Sequence, residues 1–138
     1  MIELTRRYRF PAAHVLAHRR LSAEENQRIY GKCAHPAGHG HDYGVEVTLR
    51  GEVDPETGSL MPHDVLDALV ETRVVARFGH RLLNADPLFA ELVPTAENIA
   101  RAIYRELDAP VAAAGSARLA RVRVTETRKN SFVYGEPS

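Results

Sequence analysis

Gly38-His39-Gly40-His41-Asp42-Tyr43-Gly44-Val45-Glu46-Val47-Thr48-Leu49-Arg50-Gly51 alternates from Tyr43 onward, with Val45, Val47 and Leu49 on one parity and Glu46, Thr48 and Arg50 on the other. Successive side chains of a strand point to opposite faces, so the run reads as a half-buried strand. His39 and His41 share the odd parity of the apolar set. Two positions apart on one strand face, their imidazoles can converge on a single point. Gly40 and Gly44 leave room for a close approach or a bulge.

The same alternation marks the other strands. Met1 to Phe10 sets Ile2, Leu4, Tyr8 and Phe10 against Glu3, Thr5, Arg7 and Arg9, and His14 continues the even parity if the chain stays extended through Pro11-Ala12-Ala13. Ala117 to Thr127 turns Ala120, Val122 and Val124 inward, and Ser131 to Tyr134 is a short last strand. Ser22-Ala23-Glu24-Glu25 is a capping-box pattern that opens a short helix. Leu66, Leu69, Val70, Val74 and Phe78 recur at helical spacing, and Thr95 is placed to cap a helix that turns Ile99, Ile103 and Leu107 inward. Ala109 to Ser116 reads as a small-residue linker. Two strand pairs with two helices between them predict an antiparallel α+β fold, and 138 residues without repeats predict one domain over 1–138.

Composition excludes several classes. Eighteen basic and eighteen acidic residues leave no electrostatic footprint for a nucleic acid or an anionic membrane. No apolar run approaches the ~18 residues of a membrane helix. The N-terminal stretch carries three arginines and lacks the apolar core of a signal peptide, and the single cysteine, Cys33, has no internal disulfide partner. A reducing cytoplasm is the expected location.

Buried imidazoles need partners, and His14, His39 and His41 all stand where the strand patterns ask for apolar side chains. Each alone reads as a hydrogen-bonded or surface histidine. Together, with Cys33 nearby, they predict a transition-metal site, and three protein ligands with one open position are the catalytic form of a Zn²⁺ site. His18, His35 and His63 read as surface or loop residues.

Phe10-Pro11-Ala12-Ala13-His14, Gly31-Lys32-Cys33, Gly38-His39-Gly40-His41-Asp42-Tyr43, Asp54-Pro55-Glu56-Thr57-Gly58, Pro94-Thr95-Ala96-Glu97-Asn98 and Glu126-Thr127, in this order, resemble the 6-pyruvoyl-tetrahydropterin synthase family. The resemblance spans nearly the whole chain. It implies the tunnelling fold, a four-stranded antiparallel sheet with two helices, assembled as a homohexameric barrel with sites built between subunits. It implies a zinc-dependent carbon–oxygen lyase that eliminates triphosphate from a small-molecule pterin substrate, 7,8-dihydroneopterin triphosphate, in tetrahydrobiopterin biosynthesis. His14, His39 and His41 would hold the zinc. Cys33 would be the catalytic base, Glu126 would anchor the pterin ring, and Thr95 would cap its helix and line the site. Glu126 also has the inward parity of Val122 and Val124, at a strand end where a carboxylate needs donors.

Two segments depart from the family pattern. In Phe78-Gly79-His80-Arg81 the histidine that activates the cysteine is present as His80, but Gly79 stands where the family has aspartate. Asp64 and Asp86 are the alternative carboxylates, and Met61-Pro62-His63-Asp64 also differs from the family run. Two further readings stay open: a 6-carboxytetrahydropterin synthase of queuosine synthesis, and a divergent pterin- or metal-binding homologue with weakened catalysis. Five residues intervene between Cys33 and His39, the spacing of the pyruvoyl-forming branch.

Overall fold

The computed structural model describes residues 1–137. Four antiparallel strands form one sheet in the order β1-β2-β3-β4: β1 (Ile2–His14), β2 (His39–Gly51), β3 (Arg118–Thr127) and β4 (Asn130–Gly135). Three helices accompany it: α1 (Ala23–Tyr30), α2 (His63–Val70) and α3 (Ala96–Ala114). The expected α+β class and four-stranded sheet are present.

β1 does stay extended through Pro11-Ala12-Ala13, and its register with β2 pairs His14 with His39 and Ala12 with His41. The even face of β1 and the odd face of β2 bury Phe10, Ala12, Tyr43, Val45, Val47 and Leu49 against α2 and α3. Ile2 departs from its expected inward place and is half exposed. Arg6 shares the inward parity and is tolerated there by pairing. Its guanidinium grips both carboxylate oxygens of Asp67 on α2 at 2.8 and 2.9 Å, and Tyr8 donates to the same carboxylate at 2.7 Å.

Leu66, Val70, Val74 and Phe78 are each fully buried or nearly so. A strict four-residue step overshoots an α-helical turn by about 40° each time. The chain absorbs the excess in a π-helical turn at Glu71–Val75, continuing to Ala76–Phe78, which keeps the apolar residues on one face. The expected linker at Ala109 to Ser116 is instead the end of α3, which runs through Pro110 to Ala114. Val111, with no exposure, anchors that turn to the core, and Ala112 to Ala114 have the highest helix propensity available. Pro110 forgoes one intrahelical hydrogen bond, which core packing around it outweighs.

Candidate active site

The helix-side sheet face ends in imidazoles. His14 closes β1 with no exposed surface, and His41 lies diagonally across the register on β2. Their Nε2 atoms approach to 3.1 Å, with the rings edge to face at 4.8 Å between centroids. Cys33 sits in a 3₁₀ turn (Gly31–Ala34) after α1, and its Sγ lies 3.8 Å from the same His41 nitrogen. Ligand atoms of His14, Cys33 and His41 all fall within 4.8 Å of one another.

The donor set fits a metal. The His14 Nδ1–H donates to the carbonyl of Pro94 at 2.9 Å, which assigns the tautomer and leaves the Nε2 lone pair facing His41. Two nitrogens 3.1 Å apart can both reach an ion at the ~2.0–2.1 Å Zn–N length. Burial pushes the His14 imidazole below its ordinary value, partly offset by the Pro94 hydrogen bond. Burial, with the neighbouring His14 and His39, takes His41 down to about 4. Both rings are therefore neutral near pH 7, the form that ligates.

His39 stands beside this pair. Its ring centroid is 4.7 Å from that of His41 at 71°. Within one chain the tight ligand group thus contains Cys33, while His39 flanks it. Glu126, at the end of β3, is half-buried, and burial together with Glu97 raises its carboxyl above the usual range, against the lowering effect of His39. Burial and the charge of Glu126 in turn raise the Cys33 thiol, so this surround holds the thiol form rather than thiolate. Thr95 caps α3, its hydroxyl accepting from Asn98 N at 3.3 Å. The preceding residue, Pro94, supplies the carbonyl to His14, so the cap also positions that carbonyl.

His80 is placed elsewhere. It is exposed, and it lines an open pocket of about 580 Å³ with Pro11, Ala13, Gly40, His41, Asp42 and Arg81 rather than Cys33. Its backbone adopts φ +59°, and no other non-glycine residue among the described ones has positive φ. Gly79, by contrast, has an ordinary φ of −61°. It is glycine because a Cβ there would come within 2.6 Å of the Val75 carbonyl oxygen. Asp86 is committed to Arg77, with two bonds at 2.9 Å, and to the Leu88 N–H. Asp64 is exposed on the first turn of α2.

Sequence reasoning missed Pro94 and Tyr43. A carbonyl partner leaves no sequence signal. Tyr43 had one: it follows His39 and His41 on the odd parity, is fully buried, and its hydroxyl lies 3.1 Å from His14 Nδ1.

The 6-pyruvoyl tetrahydropterin synthase family profile matches residues 3–137. The chain belongs to that family. It is 42% identical over 132 residues to the 6-pyruvoyl tetrahydrobiopterin synthase of Poecilia reticulata, covering 95% of this chain and 88% of the relative. The human protein of the same name is 41% identical over 135 residues, covering 96% and 90%. The solved structure of Caenorhabditis elegans 6-pyruvoyl tetrahydropterin synthase superposes with a TM-score of 0.88 at 35% identity, covering 99% of this chain and 96% of that one. No helix of the described residues is long and apolar enough to cross a membrane.

Proposed function

We propose that this pterin synthase homologue is a zinc-dependent lyase that eliminates triphosphate from 7,8-dihydroneopterin triphosphate and forms the 6-pyruvoyl product. The observation that supports it best is the 3.1 Å approach of two neutral imidazole nitrogens with a thiol 3.8 Å away, in a chain of this family. Bound there, zinc supplies Lewis acidity to the hydroxyls of the substrate side chain. His14 and His41 are the ligands whose geometry is already formed, and His39 completes the set from the adjoining position on β2.

Glu126 accepts paired N–H groups from the pterin edge, which add two donors to the one that the Asn130 side chain gives this half-buried carboxylate. Cys33 takes and returns protons at Sγ. Its thiol is held up by burial and Glu126, so it needs a cationic neighbour to act near neutral pH. His80 is that neighbour when a second copy of the chain brings its exposed imidazole to Cys33, which accounts for its distance from the cysteine of its own chain. Assembly into a homo-oligomer, a hexamer by family resemblance, and a cytoplasmic location belong to the same reading.

The test is incubation of the zinc-loaded protein with dihydroneopterin triphosphate and determination of product mass. The pyruvoyl product with released triphosphate supports the proposal. A 6-carboxytetrahydropterin product assigns the chain to the queuosine-type reaction instead, and unchanged substrate assigns it to binding without turnover.

A further inference from the structure

A histidine that transfers protons works best when a carboxylate sets its tautomer and orientation. No carboxylate can simply be appended at position 79, where a Cβ meets the Val75 carbonyl oxygen at 2.6 Å. Asp86 is held by Arg77 and Leu88. The pocket that His80 lines contains one carboxylate, Asp42.

Their spacing follows from the backbone. Asp42 and Pro11 are register partners across β1 and β2. On the other side of β1, the His80 N–H donates to the Pro11 carbonyl at 2.6 Å, and Ala13 N donates to the Arg81 carbonyl at 2.9 Å. Asp42, Pro11 and His80 therefore lie side by side like residues on three adjacent strands, ~10 Å from first to last. By ordinary bond lengths the two side chains each reach roughly 3.5–4.5 Å from Cα. One hydrogen bond of ~2.8 Å would close the remainder once the Asp42 side chain turns from Arg9, its partner in this structure, toward His80. Ala13 and Gly40, which share the strand face of Pro11 and Asp42 at the pocket, are both small.

Asp42 has the parity that faces away from the metal, and 55% of its side chain is exposed. One of its oxygens accepts from Arg9, while the other has no partner among the described residues. His80 meanwhile sits in a strained conformation of a kind that persists where surrounding structure imposes it, often at functional sites.

We propose that Asp42 is the positioning residue for His80, reaching across β1 from β2 to fill the place that Gly79 leaves vacant. Asp42 orients the imidazole over Pro11 and stabilises the cation formed when His80 takes a proton. This rests on the reading of His80 as a proton-transfer residue, and the experiment separates the two.

Steady-state kinetics on dihydroneopterin triphosphate are measured for Asp42→Asn, Asp42→Glu, His80→Ala and the Asp42→Asn/His80→Ala double variant, with zinc content followed in each. Expected is a ~10- to 100-fold fall in kcat for Asp42→Asn, part of the ~10²–10⁴-fold of acid–base catalysis, with KM and zinc little changed. Asp42→Glu should recover part of the loss, and Asp42→Asn should add nothing once His80 is gone. In ¹⁵N-histidine-labelled protein the His80 ring should be a single tautomer in the wild type and a mixture in Asp42→Asn. Wild-type rates in Asp42→Asn overturn the proposal. So does an equal further loss in the His80→Ala background, since Asp42 would then act elsewhere. If His80→Ala itself keeps full activity, the reading of His80 falls first and the proposal with it. If Asp42→Asn does not fold, Asp42→Ser at this exposed position gives the same reading.

Discussion

Restoring the family aspartate by Gly79→Asp should destabilise this chain rather than speed it. The new Cβ would lie 2.6 Å from the Val75 carbonyl oxygen, which also accepts the Gly79 N–H at 2.8 Å. Relaxed C···O contacts lie at about 3.3 Å or more, so the backbone must open by roughly 0.7 Å. Overpacking of this kind typically costs ~1–3 kcal/mol. For a domain of this size that corresponds to roughly 3–10 °C in Tm. Because the φ of Gly79 is ordinary, conformational strain contributes nothing and Gly79→Ala should show most of the loss. The assay is thermal unfolding of wild type, Gly79→Ala and Gly79→Asp at fixed zinc and protein concentration. A Gly79→Ala protein that melts with the wild type would refute the steric reasoning.

Three further outcomes are expected. His41→Ala should abolish stoichiometric zinc by metal analysis, and His39→Ala should weaken it; full occupancy in both would remove them from the ligand set. Cys33→Ala should eliminate turnover while equilibrium pterin binding persists, and Glu126→Ala should mainly weaken pterin binding, which single-turnover and binding measurements separate. Asp86 is held below the ordinary carboxylate range chiefly by the Arg77 hydrogen bonds. Its folded-state value lies below its unfolded one, so its contribution is full above the ordinary carboxylate range and disappears as pH falls through the folded value. Asp86→Asn should therefore lower Tm at pH 7 and narrow its gap to wild type in acid.

Strand parity made the sheet and the shared face of His39 and His41 legible because side-chain alternation is a local property. Val45, Val47 and Leu49 predict the face, and His39 and His41 inherit it. The place of His14 beside them was legible only because β1 remained extended across Pro11, which an edge position permits. Local reasoning failed where a distant contact decides. Pro110 and the alanines after it look like a linker until Val111 finds the core. Gly79 invites a conformational explanation, yet its ordinary φ and the Val75 oxygen show crowding, while the left-handed residue is His80. The placement of His80 away from Cys33 depends on main-chain bonds between segments about seventy residues apart, which no short window contains.

The segment after Gly79 also acts as an edge guard. Its bonds to Pro11 and Ala13, the short parallel bridge between Ala13 and Leu82, and the two-way pairing of Asn84 with the backbone of Val15 cover the outer side of the last third of β1. Ile2 to Phe10 have no such cover among the described residues, and their outward main-chain groups remain open. An uncovered strand edge is a template for pairing with another chain, and here it is interrupted by Glu3, Arg7 and Arg9, charges of the kind that discourage indiscriminate aggregation. On the β1 side of the sheet, sideways growth is confined to residues 2–10, and the stop at Pro11 limits the register that an added strand can adopt there.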